Sequence, residues 1–162
     1  MKAPPAGDTV LIRRYRPEDL ESVLSLHEVG LRETGAFVEG WDLDEDLLDI
    51  GGTYLNDGGE FLVGVPRGRI VAIGALKRIA PGRAEIKRMR VDPAFRQRGF
   101  DQAILEALEE RATELGYATL HVDTTVQQRA ARCLYTKKGY REVRHGPVGP
   151  FECVFYEKGK LA

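Results

Sequence analysis

The segment Ala84-Glu85-Ile86-Lys87-Arg88-Met89-Arg90-Val91 reads as a β-strand whose apolar residues change parity, standing at even positions, 84 and 86, and then at odd positions, 89 and 91. Successive side chains of a strand alternate between faces, so a regular strand would turn one of these pairs away from the core. One extra residue near Lys87 or Arg88, a β-bulge, restores the alternation and leaves backbone N–H groups without ladder partners. Such groups are available to a ligand. A plain edge bulge, or a strand buried on both faces, accounts for the same pattern. The loop that follows, from Val91 to Asp101, leads into a helix and brings Arg96, Arg98 and Gly99 to its N-terminus. The unbonded N–H groups and partial positive charge of a helix N-terminus suit a phosphate or pyrophosphate, and arginine adds bidentate contacts. Eight basic residues lie between Lys77 and Arg98 against Glu85 and Asp92, which makes the local potential positive unless the run is only a solvated face.

The remaining elements frame this strand. Thr9–Arg14 holds the apolar run of a strand, and Pro17, Glu18 and Asp19 open a helix with Leu20, Val23, Leu24 and His27 on one face and Gly30 as its stop. A shorter helix is expected over Leu43–Leu55, with Gly51 and Gly52 breaking it early. From Glu60 the period is two. Strands Glu60–Val65 and Arg69–Ile79 are joined by Pro66-Arg67-Gly68, and Pro81-Gly82 turns the chain into Ala84–Val91, an antiparallel meander. A helix with Ile104, Leu108, Ala112 and Leu115 on one face ends at Gly116 and feeds the strand Thr119–Thr124, which predicts a right-handed parallel crossover. A helix over Arg129–Lys138, stopped by Gly139, and strands near Tyr140–Arg144 and Phe151–Glu157 complete the chain. Residues 1–8 read as a flexible N-terminus and 9–162 as a single domain.

Composition narrows the function classes. With 43% hydrophobic and 30% charged residues among 162, the chain is apolar enough to fold around one core. Its longest apolar run, Ile70–Leu76, is too short to span a bilayer and the N-terminus lacks the apolar centre of a signal peptide, so neither a membrane partner nor secretion is expected. A net charge of -1 and a basic segment without interleaved aromatics disfavour nucleic acid as a partner. Cys133 and Cys153 have no CxxC spacing and no companion histidines, so no metal centre is expected; both read as buried thiols in a reducing cytoplasm.

Two motifs together carry a resemblance. Glu85–Gly99, which runs Glu-Ile-Lys-Arg-Met-Arg-Val-Asp-Pro-x-x-Arg-x-x-Gly, and Cys133–Tyr140, which runs Cys-Leu-Tyr-Thr-Lys-Lys-Gly-Tyr, resemble the GNAT superfamily of acyl-CoA-dependent N-acyltransferases. The order of elements matches from Val10 to Phe155. The resemblance implies an α+β (α/β mixed) fold: a central, mostly antiparallel twisted sheet of about seven strands, flanked by about four helices, with one parallel βαβ crossover. It implies an N-acetyltransferase that moves an acetyl group from acetyl-CoA to a primary amine by direct attack in a ternary complex, with no metal. A non-catalytic coenzyme A binding or sensing module is the alternative class. The acceptor stands open between a small molecule and a peptide or protein amine, and the chain between monomer and homodimer.

The same resemblance implies the site residues. Backbone N–H groups near Met89, Arg90 and Val91 would hold pantetheine and polarise the thioester carbonyl. The family's phosphate pattern, Arg or Gln, two residues, Gly, one residue, then Gly or Ala, falls on Arg96, Gly99 and Asp101, so Arg96, Gln97, Arg98, Gly99, Phe100, Asp101 and Gln102 would hold the pyrophosphate. Asp101 departs from the pattern. A carboxylate facing a phosphate at about 5 Å and an effective dielectric near 20 costs roughly 3 kcal/mol, whereas an Asp that bonds the helix amides is a cap. Gln128 stands where relatives often carry Asn, and Tyr135 matches a tyrosine that in many relatives protonates the departing thiolate; a packed tyrosine is the other reading. Glu85 is the candidate base, with His121 and Asp123 in reserve and a surface Glu–Arg pair as the alternative. Cys133, open to an acyl-enzyme reading, fits better as packing. Between Glu39 and Glu60 stand eight acidic residues, Glu39, Asp42, Asp44, Glu45, Asp46, Asp49, Asp57 and Glu60, and no Lys or Arg. If this segment walls the acceptor cleft it favours polyamines or basic peptides; a solvated helix face accounts for it as well.

Overall fold

The computed structural model describes residues 11–33 and 45–159. The expectation of a flexible N-terminus, the first residues of the first strand, and the acidic residues Glu39, Asp42 and Asp44 lie outside the described residues. Seven strands form one sheet: β1 (Ile12–Arg14), β2 (Glu60–Gly64), β3 (Ala72–Ala80), β4 (Arg83–Val91), β5 (Thr119–Thr125), β6 (Arg141–Val148) and β7 (Phe151–Gly159), in the spatial order β1-β2-β3-β4-β5-β7-β6. Every neighbouring pair is antiparallel except β4 and β5, which are parallel and joined by the crossover helix α2 (Phe100–Glu114). The other α-helices are α1 (Leu20–Glu33) and α3 (Arg129–Lys137). A fourth helical segment is a 3-10 turn over Glu45–Asp49 followed by a π-type turn over Gly51–Leu55. It is broken where Asp49 Oδ1 accepts the Gly52 amide at 3.1 Å, the local competition that makes Asp and Gly poor helix interiors.

Two expectations are corrected. Gly30 does not stop α1, which runs on to Glu33. The glycine instead gives room to an arginine, because a Cβ there would stand 2.7 Å from Arg90 Cδ. Cys133 is exposed on α3, so only Cys153 is a buried thiol. The reason is helical period: Leu134 and Tyr135 take the inward positions of that short helix.

The core lies on both faces of the sheet. α2 covers one face, with Ile104, Leu105, Leu108 and Ala112 against Leu76, Ile86 and Leu120. On the other face, Val23 and Leu26 of α1 join Leu47, Ile50 and Tyr54 over Phe61, Val63 and Ile73. Glu60, buried in β2, is held by Arg14 at 2.8 and 2.9 Å and by Arg111 of α2 at 3.1 Å. That clamp ties β1, β2 and α2 together and keeps the buried Glu60 carboxylate paired.

Two departures from regular pairing create a cleft. Ile73 pairs with Arg90 and Ala75 with Lys87, so three residue steps of β4 face two of β3. This is the bulge expected from the parity change, and Arg88 within it has φ +59°. Gly74 lies opposite, where a Cβ would meet Met89 Sδ at 2.7 Å; the missing side chain makes space for the methionine. β4 and β5 pair only from Arg83 with Thr119 to Ile86 with Val122, although β4 continues to Val91 and β5 to Thr125. The strands therefore separate toward their C-terminal ends.

Candidate active site

The gap between the separated strands opens into two adjoining cavities. One, of about 400 Å³, is bordered by Glu85, Lys87 and Arg88 of β4, Asp123 and Thr125 of β5, and the start of β7. The other, of about 360 Å³, lies between the segment Val91–Asp101 and the start of α3. Met89, Arg90, Gln128 and Tyr135 line both, so the bulge and α3 form the passage between them.

Glu85 faces the first cavity. Burial pushes its carboxyl up to about 7; Lys87 and Lys77 pull it down, while Asp123, which shares a hydrogen bond with it, pushes it further up. Glu85 pairs in register with His121, and Asp123 follows two residues later on the same face of β5. Among the described residues the surface Glu–Arg pair considered for Glu85 does not form; its neighbours are Asp123 and the lysines Lys87 and Lys77. His121 is engaged elsewhere, with its Nδ1 3.8 Å from Glu157 Oε2.

Tyr135 stands across the passage with 3% of its surface exposed, held edge-on by Tyr140 and tilted against Tyr156, each at 5.8 Å between ring centroids. Its hydroxyl makes no hydrogen bond with any described residue. Burial drives the phenol well above its ordinary range; Arg90 opposes this, and Asp123 and Asp101 add to it, so the group stays protonated throughout the physiological range. Gln128, at the N-cap of α3, accepts a hydrogen bond from Thr124 Oγ1 at 3.0 Å.

The second cavity has the geometry of an anion cradle with one irregularity. Gln97 and Gly99 both have positive φ, +60° and +83°, which turns the loop sharply into α2. Ala103 is the first residue to donate back into the helix, to the Gly99 carbonyl at 3.0 Å, leaving the amides of Phe100, Asp101 and Gln102 as orphan donors. Asp101 Oδ1 takes the last of them, the Gln102 amide, at 2.8 Å. Asp101 thus spends one carboxylate oxygen on the helix start, whose N-cap position is Gly99, and it also lines the cavity. Phe100, Asp101 and Arg96 border this cavity, so two helix-start amides and one guanidinium meet one carboxylate there.

The basic run is partly neutralised. Arg96 is ion-paired with Glu33 at the end of α1. Arg88 is bound to Asp46 at 2.5 and 2.9 Å, and Asp46 also accepts from the Tyr54 hydroxyl. Burial pushes Asp46 up, but the bonds and charge of Arg88, with Tyr54, hold its carboxyl below the usual range. Two candidate contacts point elsewhere: Arg98 lies over the Phe95 ring at 5.1 Å, and the Gln102 side chain is bonded to Glu106 and Lys137. Three described residues of the acidic segment are engaged in internal bonds, Asp46 with Arg88, Asp49 with the Gly52 amide, and Glu60 with Arg14 and Arg111.

The sequence model of the Acetyltransferase (GNAT) family matches residues 21–140, a span that holds the bulged strand, the cradle and the Tyr135 helix. The chain belongs to the GNAT acetyltransferase family. Among curated relatives, it is 35% identical over 92 residues to an IAA acetyltransferase of Azospirillum brasilense, covering 56% of this chain and 59% of that protein. The chain spans between 36% and 59% of the lengths of the curated relatives it matches. A GNAT acetyltransferase of Staphylococcus aureus shares the fold with a TM-score of 0.86 and 22% identity, over 93% of this chain and 99% of that one. An acetyltransferase of Salmonella typhimurium, solved with its cofactor acetyl-CoA, matches with a TM-score of 0.76 and 18% identity over 94% of each chain.

In this GNAT chain, sequence reasoning held Asp123 only in reserve and missed one wall of the first cavity. Val148 of β6 and Phe151, Cys153 and Phe155 of β7 border it. The available signal was the period-two recurrence of Phe151, Cys153 and Phe155, which places all three on one face.

Proposed function

We propose that this chain is an N-acetyltransferase that takes residues 9–162 as one catalytic domain and transfers the acetyl group of acetyl-CoA directly to a primary amine. The observation that carries the reading is the separation of β4 and β5, which opens one passage lined by Glu85 on one side and Tyr135 on the other. The amides of Phe100 and Asp101, with Arg96 and Gln97, would hold the pyrophosphate, and the β4 backbone near Met89–Val91 would hold the pantetheine arm. Acetyl-CoA supplies an activated acyl group on a thiol leaving group. Glu85, with its carboxyl shared with Asp123, takes the proton that the ammonium must lose before attack. The β4 amides donate to the oxygen on which charge develops. Tyr135 holds its proton until the leaving sulfur needs it. A cytoplasmic location belongs to the same reading and is supported by two free thiols, Cys133 and Cys153.

The test combines calorimetry of coenzyme A binding with thiol release from acetyl-CoA in the presence of primary amines. Binding and amine-dependent release are expected. Binding without release would leave a coenzyme A sensing module, and absence of both would remove the cofactor assignment.

A further inference from the structure

The first cavity has two unlike ends. At one end Glu85 and Asp123 stand together with Lys87 beside them. At the other end the wall is apolar. Asp123 pairs with Phe155 and Thr125 with Cys153, so the row formed by Phe155, Cys153 and Phe151 begins one strand away from the carboxyl pair and runs outward from it. Val148, which pairs with Phe151, closes the row from β6. Four residue steps from Phe155 to Phe151 extend for about 13 Å, and the first ring lies about one interstrand spacing, roughly 4.8 Å, from Asp123. Arg144 stacks on Phe155 at 3.7 Å and fixes that ring.

We propose that the acceptor is a primary monoamine on an uncharged apolar arm, an aralkyl or alkyl amine, whose arm lies along Phe155, Phe151 and Val148 while its nitrogen reaches Glu85. This rests on the acetyltransferase reading above and names its substrate class. The described charges select against a polyamine. A polyamine needs a second anionic site. The described acidic residues nearest the bulge do not supply one, since Asp46 is bound to Arg88 and Glu60 to two arginines. One carboxyl pair beside a row of rings instead matches one ammonium followed by hydrocarbon.

The experiment compares kcat/KM for phenethylamine, hexylamine, spermidine and aspartate at saturating acetyl-CoA, read by thiol release. Phenethylamine and hexylamine should exceed spermidine and aspartate by about tenfold or more, the scale expected for burying several methylene groups or a ring. Phe155→Leu and, separately, Phe151→Ser should raise KM for phenethylamine several-fold while coenzyme A affinity, measured by calorimetry on the same preparations, stays unchanged; retained affinity also shows that each variant has folded. Preferred use of spermidine or aspartate, or indifference of phenethylamine KM to both substitutions, would overturn the apolar arm and leave the acetyltransferase reading standing. Coenzyme A binding with no release on any amine would overturn that reading, and the acceptor class with it.

Discussion

Glu85 carries its carboxyl where ionisation is opposed, first by burial and then by Asp123, which moves it from an ordinary 4.5 to about 7. The sign follows from linkage: the folded protein holds this proton more tightly than the unfolded chain, so the stabilisation is fully present below about 4.5 and is lost as pH rises through about 7. Stability from urea unfolding should therefore fall between pH 5 and pH 8, by on the order of 2 kcal/mol, and Glu85→Gln should flatten that slope. An identical slope in the variant would assign the loss to other groups. Activity runs the opposite way, because the base must be ionised: wild-type kcat/KM should climb through about pH 7, and Glu85→Gln should lack that limb. Tyr135→Phe should lower kcat about a hundredfold with little change in the KM for acetyl-CoA, since a proton donor to the leaving group acts after binding. Unchanged kcat would return Tyr135 to a packing role between Tyr140 and Tyr156.

At the scale of elements, the bulge and the start of α2 set the geometry of the cleft, and each has a residue that tests it. Gly74→Ala would push a methyl group into Ile104 and into Met89, whose Sδ would stand 2.7 Å from a Cβ there. A loss of about 1–3 kcal/mol is expected by denaturant titration, together with weaker coenzyme A binding as the bulge shifts. Asp101→Asn keeps an oxygen for the Gln102 amide but removes the charge. It should tighten coenzyme A binding by up to about a hundredfold with little change in melting temperature, and unchanged affinity in calorimetry would discard the repulsion. The bulge was legible because a parity change in a strand has few remedies, and the sheet because its turns are marked by Pro and Gly. The Phe151, Cys153 and Phe155 row was visible only as an ordinary alternating strand, since which face of β7 meets a cavity depends on β5 beside it. The bond between Arg88 and Asp46 joins residues 42 positions apart, and no local pattern announces such a pair.

At the scale of the molecule, β1 to β4 make one half of the sheet and β5, β7 and β6 the other, and in-sheet pairing between the halves is confined to four residue pairs, Arg83–Ile86 with Thr119–Val122. In mechanical terms these are two leaves fastened along a seam of four rungs, with the rest of the seam left unstitched. The β4 amides past Ile86 that face this opening have no β5 partner, so they should exchange with deuterium faster than their neighbours bonded to β3. A ligand that occupies the opening supplies the missing stitches. Coenzyme A should therefore slow exchange along Lys87–Val91 and raise the unfolding midpoint with its concentration, by about 2.7 kcal/mol of added stability at a hundred times its dissociation constant. Equal exchange with and without ligand would mean that the leaves are already held as firmly apart as together.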